Sequence, residues 1–268
     1  MAARRRFTCM TTELLLLSAA MAVAAGLVGC FAVMRRMALA GDALAHVALP
    51  GIGIALALQL HPLVGATAML FFGALLVWSL EHSSRVATET LVGVVFSAAL
   101  AVGVMITSDE HLIDALLGSP STLSRAEAAF GFVAAGVVIG FMLLRKNALV
   151  LALVSPDIAR TAGVNIPLLN FLYLQMFALT VALGLRYLGV LLMGSLIIIP
   201  AATAKRLSNS LNQMLAIAAV VAAVATLLGS LAAQWLDRDA GPVIVSLSAA
   251  GFLVASAVEP LRGRNFMK

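Results

Sequence analysis

The chain has 268 residues, a net charge of +5 and a mean hydropathy of +1.08; 62% of its residues are hydrophobic and 11% charged. So little polar surface cannot coat a soluble core of this size, which places the chain among polytopic membrane proteins. Its basic residues come in short clusters between apolar runs, without interleaved aromatics, which excludes a nucleic-acid surface and matches membrane topology instead.

Apolar runs cover residues 13–33, 38–60, 62–80, 90–107, 128–144, 168–185, 188–204, 212–236 and 242–258. The first follows a basic tail, Arg4-Arg5-Arg6, that imitates a signal peptide. Its apolar stretch is about 20 residues, long enough to span at ~1.5 Å per residue, and it lacks a convincing small-residue cleavage site. It is therefore expected to be the first membrane helix. Cys30 lies deep in this run and Cys9 in the tail, which argues against a disulfide between them. The expected fold is an all-α, polytopic membrane helix bundle of about eight to nine transmembrane helices. It is expected to form a single transmembrane domain over residues 1–268, with no soluble catalytic module.

The second run reads Gly41-Asp42-Ala43-Leu44-Ala45-His46-Val47-Ala48-Leu49-Pro50-Gly51, so two ionisable groups sit four residues apart among apolar ones. On a helix they share one face. Ionisable groups at membrane depth are costly and mark functional sites by default. A carboxylate oxygen and an imidazole nitrogen are both ligands for divalent first-row metals. Spacing alone leaves two structural readings open: Asp42 caps the helix behind Gly41, or the two side chains satisfy one another by a hydrogen bond. His61, beside Pro62, and His82 read as loop residues.

With the segments after the odd-numbered runs placed in the cytoplasm, Lys and Arg divide eleven to six in favour of that side. Half of the minority sits in the tail, and Asp109, Glu110, Asp114, Glu127, Asp237 and Asp239 fall outside. Asp109-Glu110-His111 with Asp114 reads either as solvated loop charge or as a patch that attracts cations.

The largest cytoplasmic segment contains Ser155-Pro156-Asp157-Ile158-Ala159-Arg160-Thr161-Ala162-Gly163-Val164, which has the marks of a short helix. Ser155 suits the N-cap, Pro156 the first helical position, and Asp157 the positive end of the dipole. Gly163 can end the helix in the left-handed region. Such a helix held out from a bundle serves either as a docking element for a cytoplasmic partner or as a connector at the membrane surface. The seventh run, 188–204, is short enough to be re-entrant. Its Gly189 and Gly194 allow close backbone approach, and Pro200 is expected to interrupt the helix near its cytoplasmic end. That pattern suits either a broken helix beside a transport path or a kinked packing helix.

Arg35-Arg36-Met37 followed by Gly41–Gly51 resembles the signature of permease subunits of bacterial zinc and manganese ABC importers. Ser155–Val164 resembles that family's coupling-helix region. The block from Leu188 to Ala204, with its Pro200-Ala201-Ala202-Thr203-Ala204 end, and Ala240-Gly241-Pro242 fit as well, so the similarity covers nearly the whole chain in order.

The resemblance implies two copies of the chain about a two-fold axis in a bacterial cytoplasmic (inner) membrane. Cytoplasmic ATPase subunits would dock on Ser155, Pro156, Asp157, Ala159 and Gly163, and an extracytoplasmic metal-binding protein would deliver the ion. Its partners would then be these proteins and the lipid bilayer, with no nucleic acid. The family places its intramembrane metal site at Asp42 and His46. Two copies of each ligand would suit tetrahedral zinc, while manganese or ferrous iron accept the same donors if water completes the shell. The ion is cargo, with no permanently bound cofactor expected. No G-x-x-x-x-G-K-[ST] loop occurs, so ATP hydrolysis is expected on a partner subunit.

Two other classes compete with this reading. An intramembrane metalloenzyme would need a further base near the pair, and the chain has no H-E-x-x-H. A stand-alone ion-coupled carrier would transport without nucleotide.

Overall fold

A computed structural model describes residues 12–37, 39–84, 86–106, 125–187 and 190–263. The described elements are all helices: α1 Thr12–Met34, α2 Ala40–Ala57, α3 Pro62–Ser83, α4 Thr88–Ile106, α5 Arg125–Val154, α6 Pro156–Thr161, α7 Ile166–Tyr187, α8 Val190–Leu207, α9 Leu211–Leu236 and α10 Ala240–Gly263. Eight of them are long and apolar enough to cross a membrane. α8 has 18 residues and carries Lys205 and Arg206 in its last turn.

Local chemistry sets many of the helix ends. His61 caps α3, its Nδ1 accepting from the Leu63 amide at 3.3 Å, with Pro62 at the first helical position. Ser210 caps α9 by accepting from the Gln213 amide at 3.4 Å, while the Gln213 side chain accepts from the Asn209 amide at 3.1 Å. α9 ends on Asp237 in the left-handed conformation, φ 52°, which turns the chain directly into α10. His82 is not a loop residue: it lies in the last turn of α3, stacked on Trp78 with ring centroids 6.1 Å apart.

Two further expectations change. The fifth run does not stop at 144, because the helix continues through Arg145, Lys146 and Asn147 to Val154. Nothing in that stretch breaks a helix until Ser155-Pro156. The helix also runs on past Pro200, which lies inside α8 as Pro50 lies inside α2. Each proline removes one backbone hydrogen bond, a loss that neighbouring helices tolerate inside a bundle.

α2 is the central helix, with twelve of its 18 residues buried. It packs on α3, α4 and α8, while α1 packs on α9, α8 and α5. α2 and α3 cross at Gly51 and Gly65, where a Cβ on either residue would collide with the other's carbonyl oxygen. The absence of side chains at this crossing is what lets the backbones touch, the usual device for helices that associate without a hydrophobic drive.

The start of α7 is tied to two helices by polar groups. Arg35, just past α1, donates to Asn170 Oδ1 at 2.7 Å and lies 4.5 Å from the centroid of Tyr173. The buried Tyr173 hydroxyl donates to the Val28 carbonyl at 3.3 Å. Trp78 Nε1 on α3 donates to the Pro167 carbonyl at 2.9 Å. Because α6 leads into α7 after four residues, these bonds anchor its far end to the bundle.

Candidate metal-transport site

Asp42 sits in the first turn of α2. The capping reading fails, because Leu39 occupies the N-cap and no side chain makes a cap bond there. Asp42 is exposed although Gly41 beside it is buried. One side of its carboxylate faces α8: a Cβ built on Gly194 would lie 3.2 Å from Asp42 Oδ1.

His46, one turn further, is half-buried. Its ring leans on Phe96 of α4, with centroids 5.6 Å apart and planes tilted by 52°. Its Nδ1 is buried and has no hydrogen-bond partner. The mutual hydrogen bond is therefore not made through this atom, and the second structural reading loses its support. A buried nitrogen lone pair or N–H without a partner costs roughly 1–3 kcal/mol, so Nδ1 is open to a group from outside this single chain.

The sequence-predicted pair thus shares a face of α2 but leans on different neighbours, Asp42 on α8 and His46 on α4. Among the described residues no group of three or more His, Cys, Asp or Glu gathers to hold a metal. Asp42 and His46 make two donors, whereas a first-row divalent ion takes four or more. A carboxylate on the outside of a membrane bundle cannot face lipid cheaply, which favours an aqueous path or another protein beside Asp42.

The short helix expected at Ser155–Val164 is present as α6. Pro156 takes the first helical position, and Ser155 precedes it in extended conformation. The Ser155 side chain makes no cap bond; its backbone carbonyl accepts from Ala159 N at 3.0 Å. Gly163 ends the helix at φ +79°, a conformation that favours glycine. Ala159 requires a correction, since it is fully buried in the chain's own interior and its face is not free for a partner groove. The outward face carries Ile158, 57% exposed, together with an exposed Asp157–Arg160 ion pair of 3.0 Å.

The outer cluster Asp109-Glu110-His111 with Asp114, the tail arginines and Cys9 lie outside the described residues. Cys30 is free and buried. Spacing revealed Asp42 and His46 but not Gly194 or Phe96, which belong to other helices. The sequence marked Gly194 as a glycine that allows close backbone approach, but not that the approach is to Asp42.

The sequence profile of the ABC 3 transport family matches residues 7–259. The "Chelated iron transport system membrane protein YfeD" of Yersinia pestis is 32% identical, covering 91% of this chain and 84% of that protein. The "Manganese transport system membrane protein MntC" of Listeria monocytogenes is 27% identical, with 95% and 92% covered. The "High-affinity zinc uptake system membrane protein ZnuB" of Haemophilus influenzae is 29% identical, with 85% and 89% covered. Among solved structures, PsaBC from Streptococcus pneumoniae in complex with Fab shares the fold, with a TM-score of 0.78 at 24% identity over 93% of this chain and 92% of that one.

Proposed function

This chain belongs to the ABC 3 transport family, and from that premise we propose that it is the membrane-spanning subunit of an ATP-driven importer for a divalent metal ion. It works as a multi-pass protein of a bacterial cytoplasmic membrane. The observation that carries the reading is the pair on α2: an exposed carboxylate and, one turn on, an imidazole whose buried Nδ1 has no partner.

Two copies of the chain would bring two carboxylates and two imidazoles together. Two negative charges balance a divalent ion that cannot carry its full hydration shell through hydrocarbon. Both ligands come from successive turns of one helix, so their spacing is set before the ion arrives. Nitrogen–oxygen donors suit tetrahedral zinc, which we rank first, and manganese and ferrous iron are served by the same donors with added water. The relatives are named for iron, manganese and zinc alike, so the family does not single out zinc.

ATP hydrolysis belongs to separate cytoplasmic subunits that engage α6, and an extracytoplasmic binding protein supplies the ion. Co-purification with an ATPase subunit, followed by uptake of zinc, manganese and iron into proteoliposomes, tests the reading. Uptake should need ATP and that subunit. Transport by the chain alone, without nucleotide, would instead identify a secondary carrier.

A further inference from the structure

We propose that Gly194 of α8 is a positioning residue that sets where the Asp42 carboxylate lies, and through it which divalent ion the site prefers; the inference rests on Asp42 being an ion ligand. A Cβ at position 194 would stand 3.0 Å from Asp42 Cβ, 3.2 Å from its Cα and 3.2 Å from its Oδ1. All three distances are shorter than ordinary van der Waals contact. Two of these atoms are fixed by the backbone of α2, so a swinging side chain cannot absorb the added methyl. α2 must give way against α8 by a few tenths of an ångström, and the carboxylate moves with it.

The missing side chain therefore lets one carboxylate oxygen rest against α8 while Asp42 stays open on its other side. His46 is steadied from a different direction, by Phe96 of α4. Where Asp42 presents its carboxylate to the ion then depends on how closely α8 admits it. Zinc takes short bonds in a tetrahedral set, whereas manganese takes more oxygen donors in a larger shell, so a displaced carboxylate changes their order. Contacts that orient a metal ligand are worth roughly 10–100-fold in affinity.

Gly41 separates positioning from mere packing. It lies at the same α2–α8 contact, but its Cβ would first meet the Ile197 Cδ1 tip at 3.2 Å, a flexible end that can move. Gly41→Ala thus probes the helix contact without touching the carboxylate. Gly93 and Gly136, with nothing within 4 Å of an added Cβ, report what an extra methyl does in a spanning helix.

The experiment uses the permease purified with its ATPase, and measures binding and ATP-driven uptake of zinc and of manganese separately. Gly194→Ala and Gly194→Ser are expected to assemble normally, bind at least one of the two ions roughly tenfold more weakly, and change the zinc-to-manganese ratio. Gly41→Ala, Gly93→Ala and Gly136→Ala should keep the wild-type ratio. A wild-type ratio and affinity in both Gly194 variants would overturn the proposal. So would a loss of assembly in Gly194→Ala, or an equal effect of Gly41→Ala, since either makes the residue a spacer between helices. Asp42→Asn run alongside keeps the premise separate: wild-type uptake by that variant removes the ligand reading itself, whatever position 194 does.

Discussion

As ligands of the proposed site, Asp42 and His46 would do different work, and their variants should separate the two roles. Asp42→Asn keeps the shape and removes the balancing charge, so uptake should fall to background while membrane insertion and ATPase binding persist. His46→Ala leaves the charge in place and removes a nitrogen donor, so bound metal in the purified assembly should drop at unchanged folding. Metal stoichiometry and initial uptake rate, with each variant beside wild type, provide the check; wild-type rates in both would make the pair structural. Gly163 is a residue-scale test of another kind. Its φ of +79° strains any side chain, and an added Cβ meets nothing within 4 Å, so Gly163→Ala should destabilise by the backbone term alone, about 1 kcal/mol. Thermal unfolding in detergent measures it.

At the scale of elements, α6 has an inner and an outer face that call for opposite outcomes. Ala159→Asp puts an unpaired carboxylate into the chain's own interior, which costs about 3 kcal/mol or more and should show as reduced insertion or yield. Ile158→Asp changes a side chain that is already 57% exposed, so stability should move by no more than ~0.5 kcal/mol. Its effect should appear as loss of ATPase co-purification and of ATP-driven uptake; retention of both would remove α6 as the docking element. α6 was legible in the sequence because Ser155-Pro156 and Gly163 are local signals with local causes. The end of α5 was not, since Arg145 and Lys146 resemble a span boundary to any hydropathy reading, yet a helix can leave the membrane without stopping. Pro200 misled for a related reason: it removes a hydrogen bond whether or not the surrounding helices hold its turn together. The i, i+4 spacing exposed Asp42 and His46, but their leaning on Gly194 and Phe96 joins separate helices, and no periodicity along the chain encodes it.

For the whole molecule, the proposed site takes Asp42 and His46 from each of two copies, which puts the exposed Asp42 at the seam between them. In a Cys9→Ser background, Asp42→Cys should join two chains through a short bifunctional thiol reagent. The remaining Cys30 is buried and should stay silent. Leu144→Cys, at a position 84% exposed on α5, should not join chains by the same reagent. A monomer from Asp42→Cys in membranes where the variant still co-purifies with its ATPase would place the missing ligands elsewhere. In the wild-type assembly, bound metal should approach one ion for each pair of chains.

The 30 residues of α5 amount to ~45 Å of helix against a hydrocarbon layer of about 30 Å, and the stretch after Lys146 accounts for ~12 Å of the excess. The end of α5 carries α6, so insertions there would change the height and the compass bearing of α6 together, pulling Ala159 from its packing. Three residues added after Asn147 would raise α6 by only ~4.5 Å but swing it ~60° about the axis. Seven would lift it ~10 Å while returning it to within ~20° of its original heading. Uptake that survives the short insertion and fails with the long one would show that the ATPase senses height; the reverse would show that it senses heading.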